Sequence, residues 1–195
     1  MMMFDRRLAL IAPLAAVSLA GCGINTIPTA EENAKAKWAN VQADYQRRAD
    51  LIPNLVATVK GFAKQENDVL IQVTQARASA TQVQLSPGDL TDPAKVQAFQ
   101  NAQNSLTIAT RQLQEAYPEL KSNSNFITLQ SQLEGTENRV NISIKDYNEA
   151  VQVYNTTIRT FPDAIGAKIF YGSKPMVTYT ATAPNAQNAP KVDFN

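Results

Sequence analysis

In residues 125–162, NFITLQSQLEGTENRVNISIKDYNEAVQVYNTTIRTFP, apolar side chains recur at Phe126, Leu129, Leu133, Val140, Ile144, Tyr147, Val151, Tyr154, Ile158 and Phe161. The steps alternate between three and four, with one wider gap between Leu133 and Val140. That is the period of an amphipathic helix packed on other helices. Thr136 or Glu137 must fill the gap, so a polar side chain enters the seam there. A buried carboxylate needs a partner, and Arg48 or Arg77 is the expected one for Glu137. Pro162 ends the helix, because it has no N–H to give and clashes with the preceding turn. At 1.5 Å per residue the helix is about 55 Å long, and only partners covering its stripe make that length stable.

Three more helices follow from the same reasoning. Trp38, Val41 and Tyr45 give a first helix over about 31–49. Leu55, Val56, Val59, Phe62, Val69, Leu70 and Val73 continue an apolar stripe to about Val83. Tyr45, Ile52 and Val59 keep heptad phase across Pro53, which suits one kinked helix. Asp50, however, is a good N-cap, and proline is tolerated in a first turn. A single helix of such length would also lack an equal partner. The reading adopted is a break near 50–53, with three long helices, the first kinked at Pro53, as the alternative. The turn Leu85-Ser86-Pro87-Gly88-Asp89 precedes Asp92-Pro93, an N-cap and first helical residue. Val96, Phe99, Leu106, Leu113 and Tyr117 carry the third helix to Pro118, and Asn123 or Ser124 caps the fourth. Residues 163–171 suit one more short helical turn. Residues 171–195, rich in Thr, Ala and Pro, read as an extended or disordered tail.

Residues 1–21 hold Arg6, Arg7 and an apolar run from Leu8 to Leu19, too short to span a bilayer comfortably. They read as a secretory signal. Leu19-Ala20-Gly21-Cys22 resembles a bacterial lipobox, which would lipidate Cys22 and anchor the chain at a membrane. Gly23, rather than Asp, follows the cysteine, as in Gram-negative lipoproteins exported to the outer membrane. The expected place is therefore the cell envelope, facing the periplasm or the exterior, with residues 22–30 as a tether. Removing 1–21 takes Arg6, Arg7 and Asp5 from 18 basic and 17 acidic residues and leaves no net charge. That balance argues against nucleic-acid binding, which needs clustered cations.

The chain has no histidine and one cysteine. The commonest general base is missing, and so are the His ligands of a di-iron bundle and the partner for a disulfide or a Cys-based zinc site. Seven scattered glycines form no phosphate loop, and no nucleophile motif is present. Glu134 and Glu137, three apart, could be an acid/base or metal pair; a polar seam layer that fixes helix register explains them more simply. Tyr147-Asn148 and Tyr154-Asn155, seven apart, are either core tyrosines with hydroxyls at the edge or a docking ridge for a partner helix. Arg47, Arg48, Asp50 and Asn54 are either a salt-bridged helix corner or a ligand site.

Several stretches together resemble the LemA family: RRADLIPNLVATVKGF from Arg47, EAYPELKSNSNFITLQSQLEGTENRV from Glu115, the Tyr147-to-Pro162 pattern, and Ala189-Pro190-Lys191-Val192-Asp193-Phe194. The likeness covers most of the chain after residue 30. It implies an all-α antiparallel four-helix bundle held at a membrane by its N-terminus, with no assigned reaction and no cofactor. Departures are Gln65 where members often have histidine, Ile144 where they have arginine, and Tyr171-Gly172 in place of a Gly-aromatic pair. Many members also begin with an ordinary anchor helix.

The leading expectation is a membrane-tethered, non-catalytic helical module that binds or scaffolds other envelope proteins. The alternatives are a carboxylate-dependent envelope hydrolase or stress-linked enzyme, and a lipid or small-molecule carrier. With a break at Pro53, two corners meet at the membrane-distal end, bringing together Arg47, Arg48, Asp50, Asn54, Glu119, Lys121 and Asn125. Loops on a rigid scaffold collect binding residues, so this corner is the expected recognition surface.

Overall fold

A computed structural model describes residues 25–61 and 68–180. The lipobox, Cys22, Phe62, Gln65 and the closing Ala189-to-Phe194 stretch lie outside the described residues. Within them the protein is helical, without strands. Helix α1 spans Thr26–Lys60, α2 Asp68–Gln82, α3 Pro93–Ala116 and α4 Ser124–Thr157; α5, Asp163–Gly166, runs into a π-turn at Ala167–Tyr171. Two 3-10 turns, Pro87–Thr91 and Pro118–Ser122, precede α3 and α4. The caps are those the sequence indicates. The Asp92 carboxylate accepts from Ala94 N at 2.9 Å and Lys95 N at 3.4 Å. Asn123 Oδ1 accepts from Phe126 N at 3.1 Å.

The expected break at 50–53 does not occur. α1 runs unbroken through Pro53. Its apolar stripe stays in phase there, with Tyr45, Ile52, Leu55 and Val59 all buried, and Pro53 itself faces solvent. The proline leaves the carbonyl four residues back, that of Ala49, without its main-chain donor. Arg77 on α2 supplies one, its Nε–H reaching Ala49 O at 2.8 Å. Asp50 is not an N-cap; it accepts from Gln46 Nε2 at 2.7 Å. Nor does α1 lack an equal partner: it has 35 residues, and α4 has 34. It ends instead at Lys60 with Gly61 as C-cap.

Two further differences concern the ends. Thr26 to Ala30, expected as tether, already form the first turns of α1, with Ile27 and Ala30 buried. Pro28 is accommodated because first-turn N–H groups have no intrahelical partner. The stretch after Gly172 is extended as expected, but residues 174–180 lie against the helices, and Met176 and Tyr179 enter the core.

Cross-helix contacts give the directions. Lys37 pairs with Asp146 at 3.1 Å, the Asp44 carboxylate takes the Ser143 hydroxyl, and Arg48 pairs with Glu137 at 3.0 Å. Numbers rise on α1 as they fall on α4, so the two run oppositely. Gln42 Nε2 to Leu85 O, 3.0 Å, and Arg77 to Ala49 set α2 against α1 in the same way. The apolar interior has two clusters. One joins Ile27, Trp38, Val41, Phe99, Tyr147, Val151 and Tyr179; the other joins Ile52, Leu55, Val59, Leu106, Leu113, Leu120 and Phe126. Tyr45 belongs to the first and Ala49 to the second, so Arg48 stands at their boundary.

Candidate functional site

Arg48 is the one charged side chain in the described core, 5% exposed. Its Nη1 donates to Thr107 Oγ1 at 2.8 Å and to Glu137 Oε2 at 3.0 Å. Its Nη2 donates to the Gln103 carbonyl at 3.1 Å and to Gln103 Oε1 at 3.0 Å. Gln103 in turn gives its Nε2–H to Ala80 O at 3.0 Å, bringing α2 into the layer. The guanidinium carbon lies 4.8 Å from the Tyr45 ring centre, a cation–π distance. Of the Arg48 nitrogens, Nε is buried without a hydrogen-bond partner. Burying a guanidinium costs far more than exposing it unless neighbours replace its water. Here four acceptor contacts and a ring face do so.

Glu137 thus fills the Leu133–Val140 gap and meets Arg48, as the seam spacing anticipates. Thr136 is half-buried and gives its hydroxyl to Leu133 O at 2.8 Å. Glu134 points elsewhere, accepting from exposed Gln130 at 3.2 Å. The two glutamates therefore have different partners, Arg48 for Glu137 and Gln130 for Glu134. A shallow cleft of about 200 Å³ between α3 and α4 shows Arg111, Glu134 and Glu137 to solvent, with Thr107 and Thr110 between them.

The Tyr–Asn pairs on α4 face the extended segment of the chain itself. Asn155 Nδ2 donates to Met176 O at 2.8 Å, and Met176 N donates to Asn155 Oδ1 at 2.8 Å. Asn148 does the same for Tyr179, at 2.8 and 2.7 Å. The Tyr154 hydroxyl donates to Lys174 O at 3.2 Å, and that of Tyr147 to Val177 O at 2.9 Å. Val177 N reaches Leu90 O at 2.8 Å, tying the 3-10 turn before α3 to the same strap. Seven helical residues advance about 10.5 Å. Three residues of extended chain advance about 9–10 Å, and outside a helix or sheet their backbone groups are free for side chains. A heptad on the helix therefore meets a triplet on the strap, and burial at Met176 and Tyr179 follows the triplet.

The strap closes an aromatic cluster. Tyr179 and Tyr45 share a hydrogen bond of 2.5 Å between hydroxyls, and Trp38 packs on Phe99 and Tyr147 at ring separations of 5.3 and 5.0 Å. Burial raises the phenol pKa of Tyr45, Tyr147 and Tyr179. These tyrosines are neutral donors and acceptors throughout the neutral range.

The expected binding corner does not assemble, because Arg47 to Asn54 is mid-helix. Arg48 is interior. Arg47 is exposed, 3.8 Å from Asp44. Asp50 and Asn54 are exposed along the shaft, and Glu119, Lys121 and Asn125 are exposed around the α3–α4 connection. What sequence reasoning missed is Tyr179 and Met176, although their spacing of three beside the heptad of Tyr-Asn pairs carries the signal. Gln103 and Thr107 were also missed; both lie on the apolar face of α3, where polar residues one turn apart mark a buried layer.

The sequence matches the profile of the LemA family over residues 37–194. The chain belongs to the LemA family. It is also similar to Protein LemA of Metamycoplasma hominis, 24% identical over 121 residues, which is 62% of this chain and 52% of that protein. The chain thus spans about half the length of the relative it matches. The matched region takes in the Arg48 layer, the Tyr-Asn pairs and the strap. No described helix is long and apolar enough to cross a membrane, and no group of three or more His, Cys, Asp or Glu able to hold a metal occurs among the described residues.

Proposed function

We propose that this LemA-family chain is an envelope lipoprotein, tethered through Cys22, whose helices form an antiparallel four-helix bundle that binds other envelope proteins without catalysis. The observation that carries this reading is the Arg48 layer. The Arg48 guanidinium gives its bonds to Thr107, Glu137 and Gln103, and the layer borders only the shallow α3–α4 cleft. That is the pattern of a layer that fixes register between helices. Directions of α1, α2 and α4 read from the cross-helix contacts, and the short α2–α3 connection, agree with up-down-up-down order. A rigid shaft of this kind displays its end connections at a fixed height above the anchor.

The partner surface falls at the α3–α4 connection, where Glu119, Lys121 and Asn125 are exposed. The test is a photo-crosslinking residue at Lys121 in intact cells, compared with one at Pro87, in the turn beside the middle of α1. Adducts to the same envelope protein from Lys121, lost on Glu119→Lys, support the reading. Adducts only from Pro87, or none from either position, refute it. Incorporation of labelled fatty acid that persists in Cys22→Ser would separately remove the lipid tether.

A further inference from the structure

Large apolar side chains gather outside the core at one end of the molecule. Phe161 is 82% exposed, Ile165 52%, Ile169 69% and Phe170 69%. Ile165 and Ile169, four apart as on one helical face, fall on the short helical segment after α4, and Phe161 lies in the turn just before it. This segment rests on the first turn of α1: a Cβ added at Gly166 would meet Ile27 Cδ1 at 3.7 Å, and Ala167 shares the core with Ile27. Thr26 begins α1 only four residues after Cys22. Four extended residues span at most about 14 Å, so whatever anchors Cys22 lies within that distance of the start of α1, on which this segment rests. Near the face stand Arg159, Lys168 and Lys174, all exposed, and half-buried Asp163; Glu31 and Glu32 on the first turns of α1 are paired with Lys35.

We infer that this face is a membrane-contact platform that seats the bundle on the lipid surface. The inference rests on the Cys22 tether proposed above. A cationic rim around exposed Phe and Ile is the composition of interfacial segments, whose apolar side enters the headgroup–acyl boundary to about 5–10 Å while the cations meet anionic headgroups. The tether holds the chain at the bilayer; the platform sets its orientation, with α1 and α4 rising from the surface and the α3–α4 connection at the far end. A second copy of the chain is the competing occupant.

The test uses the full chain reconstituted in phosphatidylethanolamine–phosphatidylglycerol vesicles, with a nitroxide at Phe170→Cys and, as the opposite-end control, at Ile127→Cys. Collision with oxygen and with an aqueous nickel chelate reads the depth of each label. The expected result is a Phe170 label that favours oxygen, with a signal lost from the boundary as anionic lipid is replaced by neutral lipid, and an Ile127 label that favours nickel. Chain that sediments with vesicles while both labels favour nickel overturns the platform and leaves the tether standing. Spin–spin broadening at Phe170 assigns the face to a second copy and also overturns it. Chain lacking both substitutions that takes up the nitroxide at Cys22, or stays in the supernatant, removes the tether and the platform with it.

Discussion

Arg77 is predicted to support a proline on a different helix. Arg77→Met removes the Nε–H that bonds Ala49 O at 2.8 Å. Ala49 is 3% exposed, so its carbonyl has little access to bulk water. A buried acceptor left without a donor costs about 1–3 kcal/mol. For a chain of this size that lowers the melting midpoint by about 2–4 °C per kcal/mol. Pro53→Ala restores the missing N–H at the helical position that bonds Ala49. An interior proline costs about 3 kcal/mol, which is an upper limit for the gain here because Arg77 already offsets part of it. The sharp expectation is the coupling. In the Pro53→Ala background, Arg77→Met costs about 1 kcal/mol less than in the native background, since the carbonyl keeps a donor. Urea unfolding of the four proteins, followed by helical circular dichroism, measures the cycle. Equal costs of Arg77→Met in both backgrounds would show that Arg77 acts through packing alone, and the account of Pro53 would fail.

Asn148→Ala and Asn155→Ala each delete two bonds to the strap, about 2 kcal/mol apiece at about 1 kcal/mol per bond; hydrogen exchange at the Tyr179 and Met176 amides should accelerate in each, and unchanged exchange speaks against the clasp. Arg48→Ala should destabilise by about 3 kcal/mol, because it empties a buried polar layer. Glu137→Gln should cost about 1 kcal/mol or less, since the Glu137 side chain is 42% exposed and its pair is partly screened; equal losses in denaturant titrations would contradict the layer as drawn. Raised phenol pKa values at Tyr45, Tyr147 and Tyr179, caused first by burial, contribute stability that is whole below the unfolded value near 10 and is lost as pH climbs toward the folded values; absorbance at 295 nm should therefore show these three ionising only with alkaline unfolding, and their ionisation in native protein would refute the burial. The Asp89 carboxyl is lowered to about 2, first by its hydrogen bond with Lys95 and then by Ser86; its contribution is present above about pH 4 and lost as pH falls through 2, which carboxyl chemical shifts can follow.

The α4 seam, the caps at Asp92 and Asn123, and the Arg48–Glu137 pairing were legible because each rests on local spacing plus one rule about buried charge. The course of α1 was not. Asp50-Leu51-Ile52-Pro53 carries the local signature of a helix start, and a bond from Arg77, far along the chain, reverses it. The true end had its own marker in Lys60-Gly61. The candidate corner failed with the break it depended on, since Arg47 and Asn54 stay on one helical shaft. The strap was hidden for another reason. Its residues carry little periodicity of their own, and what orders them is the row of asparagines on α4.

That row limits itself. A straight α-helix turns about 20° short of two full turns in seven residues, so Asn155 is already swung relative to Asn148. Its advance also exceeds that of three extended residues by about 0.5–1 Å per repeat. Two clamps tolerate this mismatch through the freedom of the asparagine side chain; a third and fourth on the same straight helix would accumulate both errors and miss the backbone. The clasp works as a vernier, with two scales that coincide over a short interval only. Because each asparagine bonds N–H and C=O and never a side chain, the fit is blind to which residues occupy the solvent-facing places, and the interval of coincidence, not the letters of the tail, determines how much of it the helices can hold.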